Sequence, residues 1–126
     1  RFTYALTFWN GSFFESEGIR EAYELNVPAL VVEGAGGVGS LFALSAPNVI
    51  LETVKPAEDG SPDIILRLYE AKRTATRCTL EVVGLSLKAV VQTNMLEEAE
   101  APLACESGCI PLDFRPFEIK TLRLVL

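Results

Sequence analysis

Short runs of alternating apolar and polar residues, separated by turn residues, are the feature that most limits how this chain can fold. In residues 76–83, Cys78, Leu80 and Val82 share one parity, and the residues between them are polar. Successive side chains of a strand point to opposite faces, so this pattern is typical of a strand with one buried face. Residues 85–91 repeat it. About seven or more such strands predict an all-β fold, an antiparallel β-sandwich or barrel.

Turn residues indicate how the earlier strands connect. We expect strands at residues 41–45, 49–55 and 64–70. Ala46-Pro47-Asn48 separates the first two, and Asp59-Gly60-Ser61-Pro62 separates the second from the third, so the three are predicted to form a meander.

The last predicted strand changes parity along its length. Phe117 and Ile119 are expected to point inward, but the leucines that follow have the opposite parity. A bulge near Thr121, or burial on both faces, is therefore required. Because Leu122, Leu124 and Leu126 lie beside Val125, we expect one side of this strand to meet protein outside the chain.

The N-terminal part combines one strand pattern with one helix pattern. Four alternating apolar residues predict a half-buried strand: Phe2, Tyr4, Leu6 and Phe8. Residues 15–25 have helical periodicity, Ser12 and Glu15 have the spacing of a capping box, and Asn26 with Pro28 ends the segment. One short helix near the N-terminus is predicted. The chain opens inside the strand pattern, so we interpret it as a piece of a longer protein.

A glycine-rich segment matches a dinucleotide-binding motif, Gly34-x-Gly36-x-x-Gly39. That motif requires a helix directly afterwards, whose amino end receives the pyrophosphate. Residues 40–46 are too few before Pro47 to supply it, and no βαβ pattern follows. The segment is predicted to be a loop, and no cofactor-binding residue is assigned.

Composition excludes several functions. The 126 residues carry a net charge of −6, and such a surface repels nucleic acid and anionic membranes. The chain has no histidine, so it lacks the commonest general base and zinc ligand. Three cysteines, Cys78, Cys105 and Cys109, are expected to be free thiols in a reduced, intracellular setting.

Acidic clusters are the remaining candidates for catalysis, since glycoside hydrolysis needs two carboxyl groups across a cleft. Glu58-Asp59 and Glu97-Glu98-Glu100 lie at turns or strand ends, where acids usually form solvated edges. Trp9 and Tyr4 could form an aromatic platform for a sugar, although packing in a core or an interface is the alternative. We assign no catalytic, cofactor-binding or metal-binding residue in this chain.

Several segments in register resemble the C-terminal end of the family 38 glycoside hydrolases, the class II α-mannosidases. They lie at residues 1–6, 22–28, 48–55, 66–71 and 116–124. Gly11-Ser12-Phe13 and the glycine-rich insert are most similar to the cytosolic, oligomannose-trimming branch. Family members commonly have Pro-His before the glycine where this sequence has Phe8-Trp9-Asn10, so no role of that histidine is transferred to Trp9.

The resemblance implies that residues 1–126 are a single β-sandwich domain at the C-terminal end of a larger cytoplasmic enzyme. The nucleophilic aspartate and a zinc ion would belong to an N-terminal domain absent from this chain. Expected partners are the preceding domains, with oligomannose at most peripheral and a homo-oligomer as a further option. Mannose metabolism and carbohydrate binding follow from the same comparison. The alternative is a non-catalytic carbohydrate- or protein-binding β-sandwich module.

The matched segments also have a structural interpretation. Four charged side chains are expected to form cross-strand ion pairs on the outer side or at a junction with the preceding domains: Glu52, Lys55, Arg67 and Glu70.

Overall fold

The computed structural model describes residues 3–34, 36 and 39–126, and the chain divides into two compact units, Arg1–Val38 and Gly39–Leu126. All the strands of the described residues belong to the second unit, and the helical segments belong to the first. The predicted all-β fold with one short helix near the N-terminus is confirmed. The assignment of residues 1–126 to a single domain remains a prediction.

The strands are short and every pairing is antiparallel. Their bounds are β1 Phe42–Leu44, β2 Val49–Pro56, β3 Ile64–Glu70, β4 Thr76–Val82, β5 Ala89–Thr93, β6 Ala99–Leu103, β7 Cys109–Phe114 and β8 Ile119–Val125. A three-stranded sheet has the order β1-β4-β7, and a five-stranded sheet has the order β2-β3-β8-β5-β6. The strand that comes last in the sequence therefore lies at the centre of the larger sheet.

The core lies between the two sheets, and both contribute alternate residues to it. From the three-stranded sheet come Cys78, Leu80, Val82, Ile110, Leu112 and Phe114; from the five-stranded sheet come Val49, Leu66, Leu68, Val90, Leu122 and Leu124. Alternate residues of β4 are buried, as the sequence pattern predicted. The parity expected for residues 85–91 is wrong on β5, where Val90 is buried while Ala89 is exposed and Val91 is half-buried. The architecture is a β-sandwich.

The predicted meander is half correct. β2 and β3 form the expected hairpin through a turn in which Gly60 has φ +76° and the Ser61 amide donates to Asp59 Oδ1 at 3.0 Å. β1, however, pairs with β4 in the other sheet. The chain therefore crosses from one sheet to the other between β1 and β2, a partner choice that alternation does not encode.

β8 corrects the expectations for the last strand. Its pairing with β3 runs without interruption from Ile64↔Leu124 to Tyr69↔Ile119, so there is no bulge near Thr121. Thr121 and Leu122 are both buried, which is burial on both faces. Leu122 and Leu124 are covered within the core of this unit, so they do not await protein outside the chain.

Phe117 and Ile119, which were predicted to point inward, are more than half exposed. Their parity is opposite to that of Leu122 and Leu124. Because those two leucines point into the core, Phe117 and Ile119 point away from it, and the prediction was wrong.

The N-terminal unit contains the predicted helix but no strand in its described residues. α1 spans Gly18–Asn26, and a 3-10 turn spans Phe13–Glu15. The Ser12 amide donates to Glu15 Oε2 at 2.9 Å, so the capping-box pair stabilises the 3-10 turn rather than the start of α1. Tyr4, Leu6 and Phe8 are exposed and lie outside every strand of the described residues, and Phe2 is not among those residues. The half-buried strand predicted here is wrong because alternation forms a strand only beside an available edge.

The glycine-rich segment is partly described. Gly34, Gly36 and Gly39 have no atom within 4 Å of an added Cβ, while Ala35, Gly37 and Val38 lie outside the described residues. β1 follows at Phe42 where a dinucleotide motif requires a helix. In the part of the chain that is described, no helix is long and apolar enough to cross a membrane.

Candidate functional site

Arg123 on β8 pairs with two carboxylates, Asp59 from a predicted acidic cluster and Asp63, which was not singled out. Its Nε lies 2.7 Å from Asp63 Oδ2, and its Nη2 lies 2.6 Å from Asp59 Oδ2 and 3.0 Å from Ser61 Oγ. Asp63 Oδ1 also accepts a hydrogen bond from the Leu126 amide at 3.2 Å. Arg123 faces away from the core, since its neighbours Leu122 and Leu124 are buried there. The network therefore holds the β2–β3 turn against the outer face of the five-stranded sheet.

Lys55 forms a second ionic contact, between β2 and the β5–β6 loop. Its Nζ lies 2.6 Å from Glu97 Oε1 and 2.7 Å from Glu58 Oε1. Glu97 Oε2 accepts the Glu58 amide at 2.9 Å, and the Glu97 side chain is only 8% exposed. Lys55 thus pairs with two loop acids, and among the described residues none of the four side chains expected to form cross-strand pairs contacts another of the four.

The protonation of these acids argues against proton transfer. The Ser61 amide and the Arg123 guanidinium lower the pKa of Asp59 to about 2. The hydrogen bond from Arg123 lowers the pKa of Asp63, and the hydrogen bond from Lys55 lowers the pKa of Glu97. A general acid in glycoside hydrolysis needs a raised pKa. These three carboxylates are ionised at neutral pH and stabilise loops.

Glu70 at the end of β3 is a fully buried charged side chain. Its Oε1 accepts hydrogen bonds from Asn48 Nδ2 at 3.0 Å and from the Lys72 amide at 2.7 Å, and its Oε2 accepts one from the Phe117 amide at 3.0 Å. Burial raises the pKa of Glu70, but the donated hydrogen bonds together lower it below the ordinary value. The sequence carried a signal for this position, because Glu70 shares the parity of the buried Leu66 and Leu68.

The described residues do not assemble ligands of the kind that would hold the zinc ion, which the family resemblance places in another domain. It has no histidine, and the residues that the structure describes contain no group of three or more His, Cys, Asp or Glu side chains able to hold a metal. Cys78 is buried in the core, and all three cysteines carry free thiols. No step of a reaction can be derived through a metal on these residues.

A hollow in the N-terminal unit contains the aromatic side chain considered for sugar binding. It has a volume of about 270 Å³, and its walls are formed by Thr7, Phe8, Trp9, Asn10, Glu15, Ser16, Glu17, Gly18 and Glu21. The Trp9 ring packs edge-to-face on Phe13, with centroids 5.8 Å apart. Tyr4 is not part of the lining. An indole beside amide and carboxylate groups can contact the apolar face and the hydroxyl groups of a sugar.

The geometry defines a class of protein first: a small antiparallel β-sandwich domain with a leucine-rich core and ionised surface carboxylates. Comparison with known proteins then gives the family. The family model described as "Glycosyl hydrolases family 38 C-terminal beta sandwich domain" matches residues 48–122, which begin just before β2 and end within β8. The chain belongs to this family.

Three proteins named as α-mannosidases align with nearly the whole chain. "Alpha-mannosidase 2C1" of Mus musculus is 36% identical over 133 residues, and the Homo sapiens protein of the same name is 37% identical over 134 residues. "Alpha-mannosidase G" of Dictyostelium discoideum is 28% identical over 134 residues. Each alignment covers 99% of this chain but only 12–13% of the relative. The chain therefore corresponds to a small part of each relative.

Proposed function

We propose that this chain is the C-terminal β-sandwich domain of a larger cytoplasmic α-mannosidase, which releases terminal α-linked mannose from oligosaccharides. The carrying observation is the alignment with α-mannosidases over 99% of the chain and 13% of their length. The domain's own role is structural, and the nucleophile and a zinc ion belong to another domain. The lowered pKa values of Asp59, Asp63 and Glu97 support this division, since these three carboxylates are not proton donors at neutral pH.

Exposed apolar residues in the N-terminal unit support a contact with preceding domains. Phe8 is 90% exposed and Leu6 is 82% exposed, and Leu30 and Val31 further along are comparably open. Several large apolar side chains exposed to water in one short unit are typical of an interaction surface. We infer that other domains of the same enzyme cover them.

Expression of the complete coding region tests the proposal. The full-length polypeptide should hydrolyse an aryl α-mannoside and retain zinc, whereas the 126-residue chain alone should do neither. A complete coding region that encodes no further domain, or hydrolysis by the purified 126-residue chain, would contradict the assignment.

The hollow beside Trp9 favours a second candidate, carbohydrate binding by the domain itself. Trp9 is the single tryptophan of the chain, so its fluorescence reports on that hollow alone. Titration with a mannose oligosaccharide should change the emission saturably if a sugar stacks on the indole. Unchanged emission, together with no heat of binding when the same oligosaccharide is titrated calorimetrically into the parent chain, would remove this candidate.

A further inference from the structure

The outer face of the five-stranded sheet carries a row of large apolar side chains. The register places Ile50 opposite Tyr69 and Tyr69 opposite Ile119, so the three residues lie side by side across β2, β3 and β8. Leu68, next to Tyr69, is buried in the core, so the row points away from the core. Ile119 is 54% exposed although it lies on the central strand. A central strand has no free edge, so a partner for this row must pack against side chains.

Phe117 lies in the turn between β7 and β8, two residues before Ile119 of this row, and its backbone has a left-handed conformation. Its φ is +59°, a left-handed conformation that is costly for a residue with a Cβ, and its side chain is 57% exposed. The buried carboxylate of Glu70 accepts the Phe117 amide and fixes this geometry. Strain of this kind persists only where surrounding structure maintains it, and it is frequent at functional positions.

The β5–β6 loop adds an ordered apolar residue to the same face. The Met95 carbonyl accepts a hydrogen bond from Arg67 Nη2 at 3.4 Å, and Arg67 shares the parity of Tyr69 on β3. Asn94 Oδ1 accepts the amides of Leu96 and Glu98, and Glu97 is anchored to Lys55. The loop is therefore fixed while Met95 remains 58% exposed. A fixed apolar side chain loses little conformational entropy when a partner covers it.

We propose that these five residues, Ile50, Tyr69, Met95, Phe117 and Ile119, form a docking patch that a preceding domain of the same enzyme covers. The proposal rests on the proposed function. The occupant follows from chain length: the α-mannosidase relatives devote 87–88% of their length to sequence outside this alignment, since the chain covers 12–13% of each. These apolar side chains are fixed on the outer face and do not belong to the core of the sandwich. Such side chains are typical of a permanent contact between domains of one polypeptide.

Hydroxyl-radical footprinting of the full-length polypeptide and of the 126-residue chain tests the patch directly. Oxidation of Met95 and Phe117, which are both more than half exposed in this chain, should be about fivefold slower in the full-length protein, because burial removes the side chains from water. Val83, which is 48% exposed and follows β4 of the other sheet, serves as the internal reference. Equal oxidation of the patch in both proteins would overturn the proposal.

Phe117→Asn gives a second test, because the substitution should have different effects on the stability of the two proteins. Asparagine tolerates the left-handed backbone and keeps the amide bonded to Glu70, so the 126-residue chain should be unchanged or slightly more stable. In the full-length protein the same substitution should lower the unfolding temperature, and Val83→Asn should affect both proteins equally. A full-length Phe117→Asn protein as stable as its parent would contradict docking.

These results are separable from the proposed function. Hydrolysis of an aryl α-mannoside without protection of the patch would retain the function and reject docking. Protection without hydrolysis would retain docking and reject the α-mannosidase assignment. Protection in the 126-residue chain that depends on its concentration would show that a second copy covers the patch, which would also overturn the proposal.

Discussion

Glu70 links three segments of the sandwich through one carboxylate. Replacement by glutamine keeps the shape but turns one acceptor oxygen into an NH₂ group, which cannot accept the amides of Lys72 or Phe117. We expect Glu70→Gln to lower the free energy of unfolding by about 3 kcal/mol, the cost of leaving buried donors unsatisfied. Urea unfolding followed by circular dichroism measures the loss. Glu81→Gln, at an exposed position of β4, is the matched control, and equal effects of the two would contradict this role of Glu70.

Glycine substitutions separate backbone strain from steric overlap. Gly108 has φ +82°, and a Cβ there would lie 2.6 Å from the Val82 carbonyl oxygen, whereas Gly60 has φ +76° and open space. Gly108→Ala should cost about 2–4 kcal/mol of stability and Gly60→Ala about 1 kcal/mol, because only the first adds a clash to the strain. Gly39→Ala, which has open space and no left-handed backbone, is the reference. The unfolding midpoint should be highest for Gly39→Ala, lower for Gly60→Ala and lowest for Gly108→Ala. Any other order would refute this explanation.

The ion pair between Glu97 and Lys55 connects the β5–β6 loop to β2. Removing the charge of Glu97 with Glu97→Gln should weaken its contacts with Lys55 and the Glu58 amide. Hydrogen exchange should then accelerate at the amides of residues 94–98 and at Glu58, while the amides of β3 and β8 remain protected. Glu98→Gln, on the same loop but hydrogen-bonded only to Asn94, is the control. Acceleration spread evenly over the sheet would mean that Glu97 supports the whole sandwich.

The two strands that the sequence did not predict, β6 and β7, both lie at sheet edges. β3 was predicted with its observed bounds because a hydrophobic run stands between Pro62 and Ala71, which made both of its ends visible. β6 and β7 were not predicted; each contains a proline, and each lies at the edge of a sheet. Proline is tolerated at edges because the missing N–H faces away from the ladder, yet in a sequence it indicates a turn. Strand pairing was the least predictable feature, since it depends on residues distant in sequence.

The charged contacts were predictable by residue type but not by partner. Lys55 was expected to pair across the strands, and its actual partners lie on two loops whose positions follow from the finished fold. Asp59 was interpreted as a turn former, which its contact with the Ser61 amide confirms. Arg123 was not singled out, because a lone cation on a leucine-rich strand gives no indication of the carboxylates it meets.

At the scale of the whole molecule, acid should destabilise the fold over a defined range. Asp59, Asp63, Glu70, Glu97 and Glu118 have pKa values below the ordinary 3.8 for Asp and 4.5 for Glu. Groups with a lowered folded pKa stabilise above the unfolded value and lose that contribution as pH falls through the folded value. The free energy of unfolding should therefore be nearly constant from about pH 7 to 5 and should fall from about pH 4.5 to 2.

Asp59→Asn supplies the control for that profile. The variant should be less stable than the parent at neutral pH, but the difference should shrink toward pH 2, where Asp59 of the parent becomes protonated. Chemical denaturation at a series of pH values measures both curves. A difference that grows on acidification would mean that Asp59 is unfavourable when ionised.

The central position of β8 sets an order of events during synthesis. The β2–β3 hairpin and the β5–β6 hairpin can each close locally, but β8 lies between them and emerges from the ribosome after both. Until it inserts, each hairpin presents an unpaired inner edge, and the leucines of β3 have no cover on that side. Translation that pauses or stops before residue 119 would therefore leave two hairpins with unpaired strand edges and exposed leucines. Chaperones bind such exposed apolar segments, and without them the segments promote aggregation.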